Sequence, residues 1–75
     1  MMKKRMLENS LKTKRFEHGQ ITQEGLAVRL GVSRQTVIAI EKGKFNPSVA
    51  LALDLARFFD CRVEDIFALK EKKEN

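Results

Sequence analysis

Hydrophobic residues recur at helical spacing along most of the chain, and polar residues mark where each helix begins and ends. The pattern predicts five helices and no strands, at about Leu7–Glu17, Gln23–Leu30, Arg34–Lys42, Val49–Phe59 and Glu64–Leu69. Thr22, Ser33 and Ser48 are expected to cap the three middle helices, because each hydroxyl can accept a hydrogen bond from an early backbone N–H. The chain is therefore predicted to be all-α, with residues 1–69 forming one domain and the charged residues 70–75 fraying.

The second and third of these helices are separated by only a short turn. Residues 23–42 read QEGLAVRLGVSRQTVIAIEK. Two helices that cross closely need a small residue at the crossing and a turn residue that tolerates positive φ. Ala27 and Gly31 meet these needs, and Val37 and Ile40 would fix the crossing angle from the second helix. The spacing predicts a helix-turn-helix, a motif that presents its second helix to the DNA major groove.

Composition and charge are consistent with this prediction. The chain has 75 residues, 43% hydrophobic and 33% charged, which fits one small soluble domain. No apolar run approaches the roughly 20 residues that a membrane span needs, and no secretory signal is present, so a cytoplasmic location is expected. Residues 1–44 contain ten Lys or Arg and four Asp or Glu, whereas residues 45–75 contain five and six. A positive excess around the motif is typical of a polyanion binder, although a solvated basic surface would also explain it.

The titratable residues do not form a recognisable catalytic or metal-binding pattern. Cys61 and His18 are the sole cysteine and histidine, so neither an internal disulfide nor a Cys/His metal site can be built from them. The acidic residues Asp54, Asp60, Glu64 and Asp65 are spaced as a helix surface and a cap, without a Ser/His/Asp arrangement. We therefore expect no enzyme, no cofactor, no metal and no evident small-molecule ligand.

The outer side of the third helix supplies the candidates for contact with DNA bases. With Val37 and Ile40 pointing inward, it presents Arg34, Gln35, Ile38 and Ala39. Arg34 can donate two hydrogen bonds to guanine, Gln35 can pair with adenine, and an exposed Ile38 or Ala39 can contact a thymine methyl. A phosphate contact or simple solubility is the alternative for Arg34. The candidates for phosphate contact are Gln23, Thr36, Lys42, Lys44 and Asn46.

Several segments resemble the Cro/cI-type, or XRE, helix-turn-helix regulators. The resemblance covers roughly residues 8–69 and rests on Thr22-Gln23, GVSRQTV, IAIEKGK, the loop NPS, ALDLA and VEDIF. It implies a five-helix lambda repressor-like fold and a homodimer that binds a pseudo-palindromic double-stranded DNA operator, with repression as the favoured role. The chain departs from the family at Lys14, where a core leucine is usual, and at Gly25, where Glu, Asp, Ala or Lys is usual. Lys14 could lay its stem on the core and keep its ammonium in water.

The resemblance also implies a charged pair between Arg15 and Glu41, linking the first helix to the end of the recognition helix. Two unrelated surface charges are the alternative. The dimer interface is expected among apolar residues near the C-terminal end, which could equally all be core: Phe58, Phe59, Ile66, Phe67 and Leu69. An antitoxin-like protein-interaction module that binds DNA secondarily would have the same fold. Antitoxins usually carry an added toxin-wrapping segment, and here only residues 70–75 lie outside the predicted fold.

Overall fold

The computed structural model describes residues 5–71, where four α-helices pack around one core and two strands form a small antiparallel sheet. The elements are β1 (Arg5–Asn9), α1 (Leu11–Glu17), α2 (Gln23–Leu30), α3 (Arg34–Glu41), α4 (Val49–Phe58) and β2 (Phe67–Glu71), and a single 3-10 turn (Val63–Asp65) precedes β2. Within this part of the chain, no helix is both long and apolar enough to cross a membrane.

The predicted limits of the middle helices are confirmed to within a residue, because local signals set them. Thr22, Ser33 and Ser48 each cap a helix, and each hydroxyl oxygen accepts a hydrogen bond from the backbone N–H three residues later, at 2.9, 3.1 and 3.1 Å. Gly31 ends α2 with φ of 71°. That left-handed conformation strains residues with a Cβ, which explains why glycine occupies the turn.

The prediction of five helices is wrong at both ends of the chain. Strand β1 and the start of α1 at Leu11 replace the predicted helix from Leu7, and the 3-10 turn and β2 replace the predicted last helix. The two strands pair with Leu7 opposite Leu69. The backbone groups that face each other across these two strands are therefore paired, a long-range pairing that helical spacing cannot reveal. Lys70 and Glu71 belong to β2 instead of a frayed tail, and residues 72–75 lie outside the described residues.

The core consists of ten apolar residues drawn from every helix, the 3-10 connection and β2. They are Leu11, Leu26, Ala27, Val37, Ile40, Leu55, Ala56, Phe59, Ile66 and Phe67. Met6 and Phe16 lie outside this core and are more than half exposed. Leu7 packs on the core, and neighbouring strand residues point to opposite faces, so Met6 points away. On α1, Arg15 is buried and the next residue, Phe16, points outward. The guanidinium of Arg15 lies 5.7 Å from the centre of the Phe16 ring.

The two departures from the family pattern are accommodated locally. A Cβ at Gly25 would lie 3.1 Å from both Ile21 Cγ1 and the capping hydroxyl of Thr22, so the absence of a side chain leaves room for the cap. The Lys14 side chain is half-buried, and its ammonium lies 3.9 Å from a carboxylate oxygen of the exposed Glu17. Its position is consistent with a stem that covers the core and a charged end in water.

Candidate nucleic-acid interface

Helix α3 is held with one face in the core and the other outward. Val37 and Ile40 are buried, while Arg34 and Gln35 at its start are exposed. The Ser33 cap determines where this helix begins, because its hydroxyl accepts from the Thr36 N–H, one of the first N–H groups of the helix, which lack the carbonyl partner four residues earlier. Arg34 and Gln35 are therefore the first two helical residues and project from the exposed side.

The remaining residues predicted for the outer side of α3 are less exposed than expected. Ile38 and Ala39 are half-buried, and Ile38 lines a concavity together with residues of α1 and the start of α2. Thr36 is also half-buried, and its hydroxyl lies 3.0 Å from that of Ser33. The prediction of a solvated Ile38 therefore needs correction, since this side chain forms part of a surface shared with other helices.

That shared surface is a shallow concavity of about 320 Å³. Its lining comes from α1, α2 and the end of α3, and consists of Lys12, Arg15, Gln23, Ile38, Glu41 and Lys42. Lys12 and Lys42 contribute positive charge beside the apolar Ile38. Lys12 was not among the residues predicted from the sequence. The sequence does contain evidence for its position, because Lys12 lies three residues before Arg15 on the same helix and residues at that spacing share one face.

The pair between Arg15 and Glu41 is present and nearly buried. Arg15 Nε donates to Glu41 Oε2 at 2.6 Å and Nη2 donates to Oε1 at 3.2 Å, with the two side chains 11% and 9% exposed. Arg15 Nη1 also donates to the carbonyl of Ile21, at 3.0 Å. This forked contact joins α1, the loop before α2 and the last residue of α3. Two unrelated surface charges would not be buried together in this way.

Gln23 belongs to the same network. Its Nε2 donates to Glu41 Oε1 at 3.2 Å, which draws the side chain towards the end of α3. A carboxamide carries two N–H bonds, so one remains available for an anion such as phosphate. The predicted phosphate contact from Gln23 therefore stays a prediction, with the orientation of the amide already fixed by Glu41.

The polar residues that follow α3 are exposed to solvent. Lys42, Lys44 and Asn46 are exposed in the turn and loop that lead to α4. Arg15 neutralises Glu41, the acidic residue at the end of α3. With Glu41 paired, the exposed charged residues of α3 and the turn after it are Arg34, Lys42 and Lys44, an excess of positive charge that suits phosphate binding.

Most of the predicted dimer-interface residues belong to the core. Phe59, Ile66 and Phe67 are buried, because a domain this small needs its large apolar residues inside. Phe58 is half-buried, with its ring centroid 4.9 Å from those of both Phe59 and His18. Leu69, on β2, is 64% exposed. Of the five candidates, only Leu69 and part of Phe58 are available to another molecule.

The described residues outside this surface offer neither a metal site nor a reactive thiol. No group of three His, Cys, Asp or Glu side chains among residues 5–71 is arranged to hold a metal ion. Burial raises the pKa of the Cys61 thiol above its ordinary value; Lys14 partly opposes this effect, and Asp65 and Asp60 add to it. A thiol with a raised pKa is a poor nucleophile near neutral pH, so Cys61 is best explained as a packing residue.

A sequence model of the helix-turn-helix family matches residues 14–66, which include all four helices except the start of α1. The chain therefore belongs to the XRE-type helix-turn-helix family.

Two relatives and one solved structure show which proteins this chain is similar to. The chain is 54% identical over 65 residues to the uncharacterised HTH-type transcriptional regulator MJ0272 of Methanocaldococcus jannaschii, covering 87% of this chain and 97% of the relative. It is 44% identical over 66 residues to the uncharacterised HTH-type transcriptional regulator YgzD of Bacillus subtilis, covering 88% of this chain and 98% of the relative. Its fold is similar to the restriction-modification controller protein C.AhdI of Aeromonas hydrophila, with a TM-score of 0.65, 33% identity and coverage of 73% of this chain and 78% of that one.

Proposed function

We propose that the protein is a transcriptional regulator that binds double-stranded DNA sequence-specifically, with α3 in the major groove. The observation that carries this proposal is the orientation of α3, which buries Val37 and Ile40 and exposes Arg34 and Gln35 in its first turn. In helix-turn-helix proteins the residues near the start of the second helix contact base edges. Two long polar side chains at that position can therefore reach bases without rearrangement of the fold.

Each residue on the reading surface has a distinct chemical role in this proposal. Arg34 donates two hydrogen bonds to guanine O6 and N7, and Gln35 pairs with adenine N6 and N7. Each such contact contributes about 1–3 kcal/mol of discrimination against the wrong base. Ile38 and Ala39 are half-buried, so their exposed methyl groups lie where a thymine methyl could pack. Together they would specify a short half-site.

The flanking polar residues would bind the DNA backbone. Lys42, Lys44 and Asn46 follow α3 and are exposed, and Lys12 approaches the same surface from α1. Gln23 would use its second amide hydrogen, and Thr36 its hydroxyl. These contacts supply affinity that depends on salt and not on sequence, because each neutralised phosphate releases counterions.

We further propose that the protein acts as a homodimer on a pseudo-palindromic operator and represses by occupying it in the cytoplasm. One domain of this size reads only a few base pairs, and two domains related by a two-fold axis would read half-sites about one helical turn apart. Leu69 and Phe58 are the interface candidates that are not fully used by the core.

The test is fluorescence-anisotropy binding to a selected pool of duplex DNA across a series of salt concentrations. Wild type is compared with Gln35→Ala, Lys44→Ala and the matched control Arg57→Ala. The control removes the same unit of charge from an exposed residue in the last turn of α4. Binding stoichiometry against a half-site and a full palindrome reports the dimer.

We expect a palindromic consensus for wild type, a relaxed sequence for Gln35→Ala, and uniformly weaker binding for Lys44→Ala. The salt slope of Lys44→Ala should fall by about one, while Arg57→Ala behaves as wild type. Binding without sequence preference that disappears near physiological salt would refute the regulator. Pull-down experiments would then test the antitoxin-like, protein-interaction alternative.

A further inference from the structure

Asn9, the last residue of β1, joins three elements through one side chain. Its Nδ2 donates to the backbone carbonyl of Ile40, in the last turn of α3, at 2.8 Å. Its Oδ1 accepts from the backbone N–H of Leu11, the first residue of α1, at 3.1 Å. The side chain is half-buried, and its residue pairs with Phe67 in the sheet. Both functional groups of the amide are therefore used.

Asn9 contacts α3 in its last turn, where the helix has the fewest hydrogen bonds of its own. The last carbonyls of a helix have no partner within it and depend on neighbouring groups. The Ile40 carbonyl accepts from the N–H of Gly43 at 2.9 Å as well as from Asn9. At the next residue, Glu41 is fixed by Arg15 from α1. Two adjacent residues at the end of α3 are thus anchored to the N-terminal part of the chain, and rotation of α3 about its axis would break both contacts.

We propose that Asn9 is a positioning residue for base recognition, holding α3 at the rotation that presents Arg34 and Gln35. This inference rests on the proposed DNA-binding function. Base contacts require side chains to be placed within about half an ångström, whereas phosphate contacts from flexible lysines tolerate small shifts. Loss of the Asn9 contact should therefore weaken specific binding more than non-specific binding.

Two substitutions separate the contact with α3 from the contact with α1. Asn9→Asp keeps an oxygen that accepts from the Leu11 N–H but replaces the donor to the Ile40 carbonyl with a second acceptor. Asn9→Ser keeps a local acceptor, is neutral, and is too short to reach the same carbonyl. The control is Ser10→Ala, which changes the adjacent residue. The Ser10 hydroxyl donates to the Asp65 carbonyl at 3.0 Å, at the 3-10 turn and not at α3.

The experiment measures binding to the selected operator and to a non-specific duplex of equal length, at one salt concentration and below the unfolding temperature of every variant. We expect both Asn9 variants to lose about 3- to 10-fold in operator affinity, which is the effect of one hydrogen bond. Non-specific affinity should stay within about twofold for the neutral Asn9→Ser, and Ser10→Ala should match wild type on both duplexes. Hydrogen exchange at the amides of residues 42–44 should accelerate in the Asn9 variants alone.

The possible outcomes distinguish the two proposals. Wild type without sequence preference would refute the proposed function and, with it, a role for Asn9 in recognition. Specific wild-type binding that both Asn9 variants retain would overturn the inference about Asn9 alone. Equal losses on the operator and the non-specific duplex would also overturn it, since they would indicate a change of charge or of folding.

Discussion

Replacement of Arg15 by alanine should remove a large share of the free energy of unfolding of this protein. Among the described residues, the Glu41 carboxylate, 9% exposed, would keep the bond from Gln23 alone, and the Ile21 carbonyl would lose its donor from Arg15. Removing one partner of a buried ion pair typically costs about 3–5 kcal/mol, because the other charge is left uncompensated. A chain of 75 residues has a total free energy of unfolding of about 4–11 kcal/mol, at roughly 0.05–0.15 kcal/mol per residue.

The measurement is thermal and urea unfolding followed by circular dichroism. At about 4–8 °C per kcal/mol for a domain of this size, Arg15→Ala should lower Tm by about 12–40 °C. The matched control is Glu64→Ala, which removes the exposed ion pair between Arg62 Nη2 and Glu64 Oε2, 3.4 Å apart, with side chains 78% and 72% exposed. Such pairs contribute less than about 1 kcal/mol.

A double variant, Arg15→Met with Glu41→Met, tests the cause of the loss. Replacing both charges with apolar side chains leaves no buried carboxylate, so this variant should be more stable than Arg15→Ala. If Arg15→Ala costs no more than Glu64→Ala, the pair does not behave as a buried one. If the double variant is as unstable as the single one, the missing charge is not the reason for the loss.

Three further predictions concern the turn, the cap and the thiol. Gly31→Ala should lower the free energy of unfolding measured in urea by about 1–2 kcal/mol, because alanine is strained at a φ of 71°. No atom of the described chain beyond the two neighbouring residues lies within 4 Å of the added Cβ, so a steric clash would not contribute, and a variant as stable as wild type would refute the prediction. Gly25→Ala should bring no stabilisation, because contacts at 3.1 Å with Ile21 and the Thr22 hydroxyl offset the helix-propensity gain of about 1 kcal/mol, and an increase of that size would contradict the argument. Cys61 should react with alkylating reagents more slowly than a free cysteine. Since its folded pKa is raised, its contribution to stability should be complete below the unfolded pKa and lost as pH rises through the folded pKa; fast alkylation near neutral pH would contradict this.

The middle of the chain was predictable because its signals are local. Ser33 caps α3 through an N–H three residues away, and Gly31 adopts positive φ within the turn itself. The inward positions of Val37 and Ile40 follow from helical periodicity once the start of α3 is known. These features also place Arg34 and Gln35 on the exposed side, so the sequence was sufficient to select the candidates for base contact.

The sequence alone therefore determined the helix-turn-helix and the exposure of Arg34 and Gln35, because each depends on neighbours within one or two helical turns. The tertiary structure decided the strands, since β1 and β2 satisfy their backbone groups only by pairing across the length of the chain. It also decided that Phe59, Ile66 and Phe67 belong to the core, and that Asn9 contacts α3. Hydrophobic spacing shows which residues can be buried together, whereas only the packed fold determines which distant polar group reaches a carbonyl at the end of a helix.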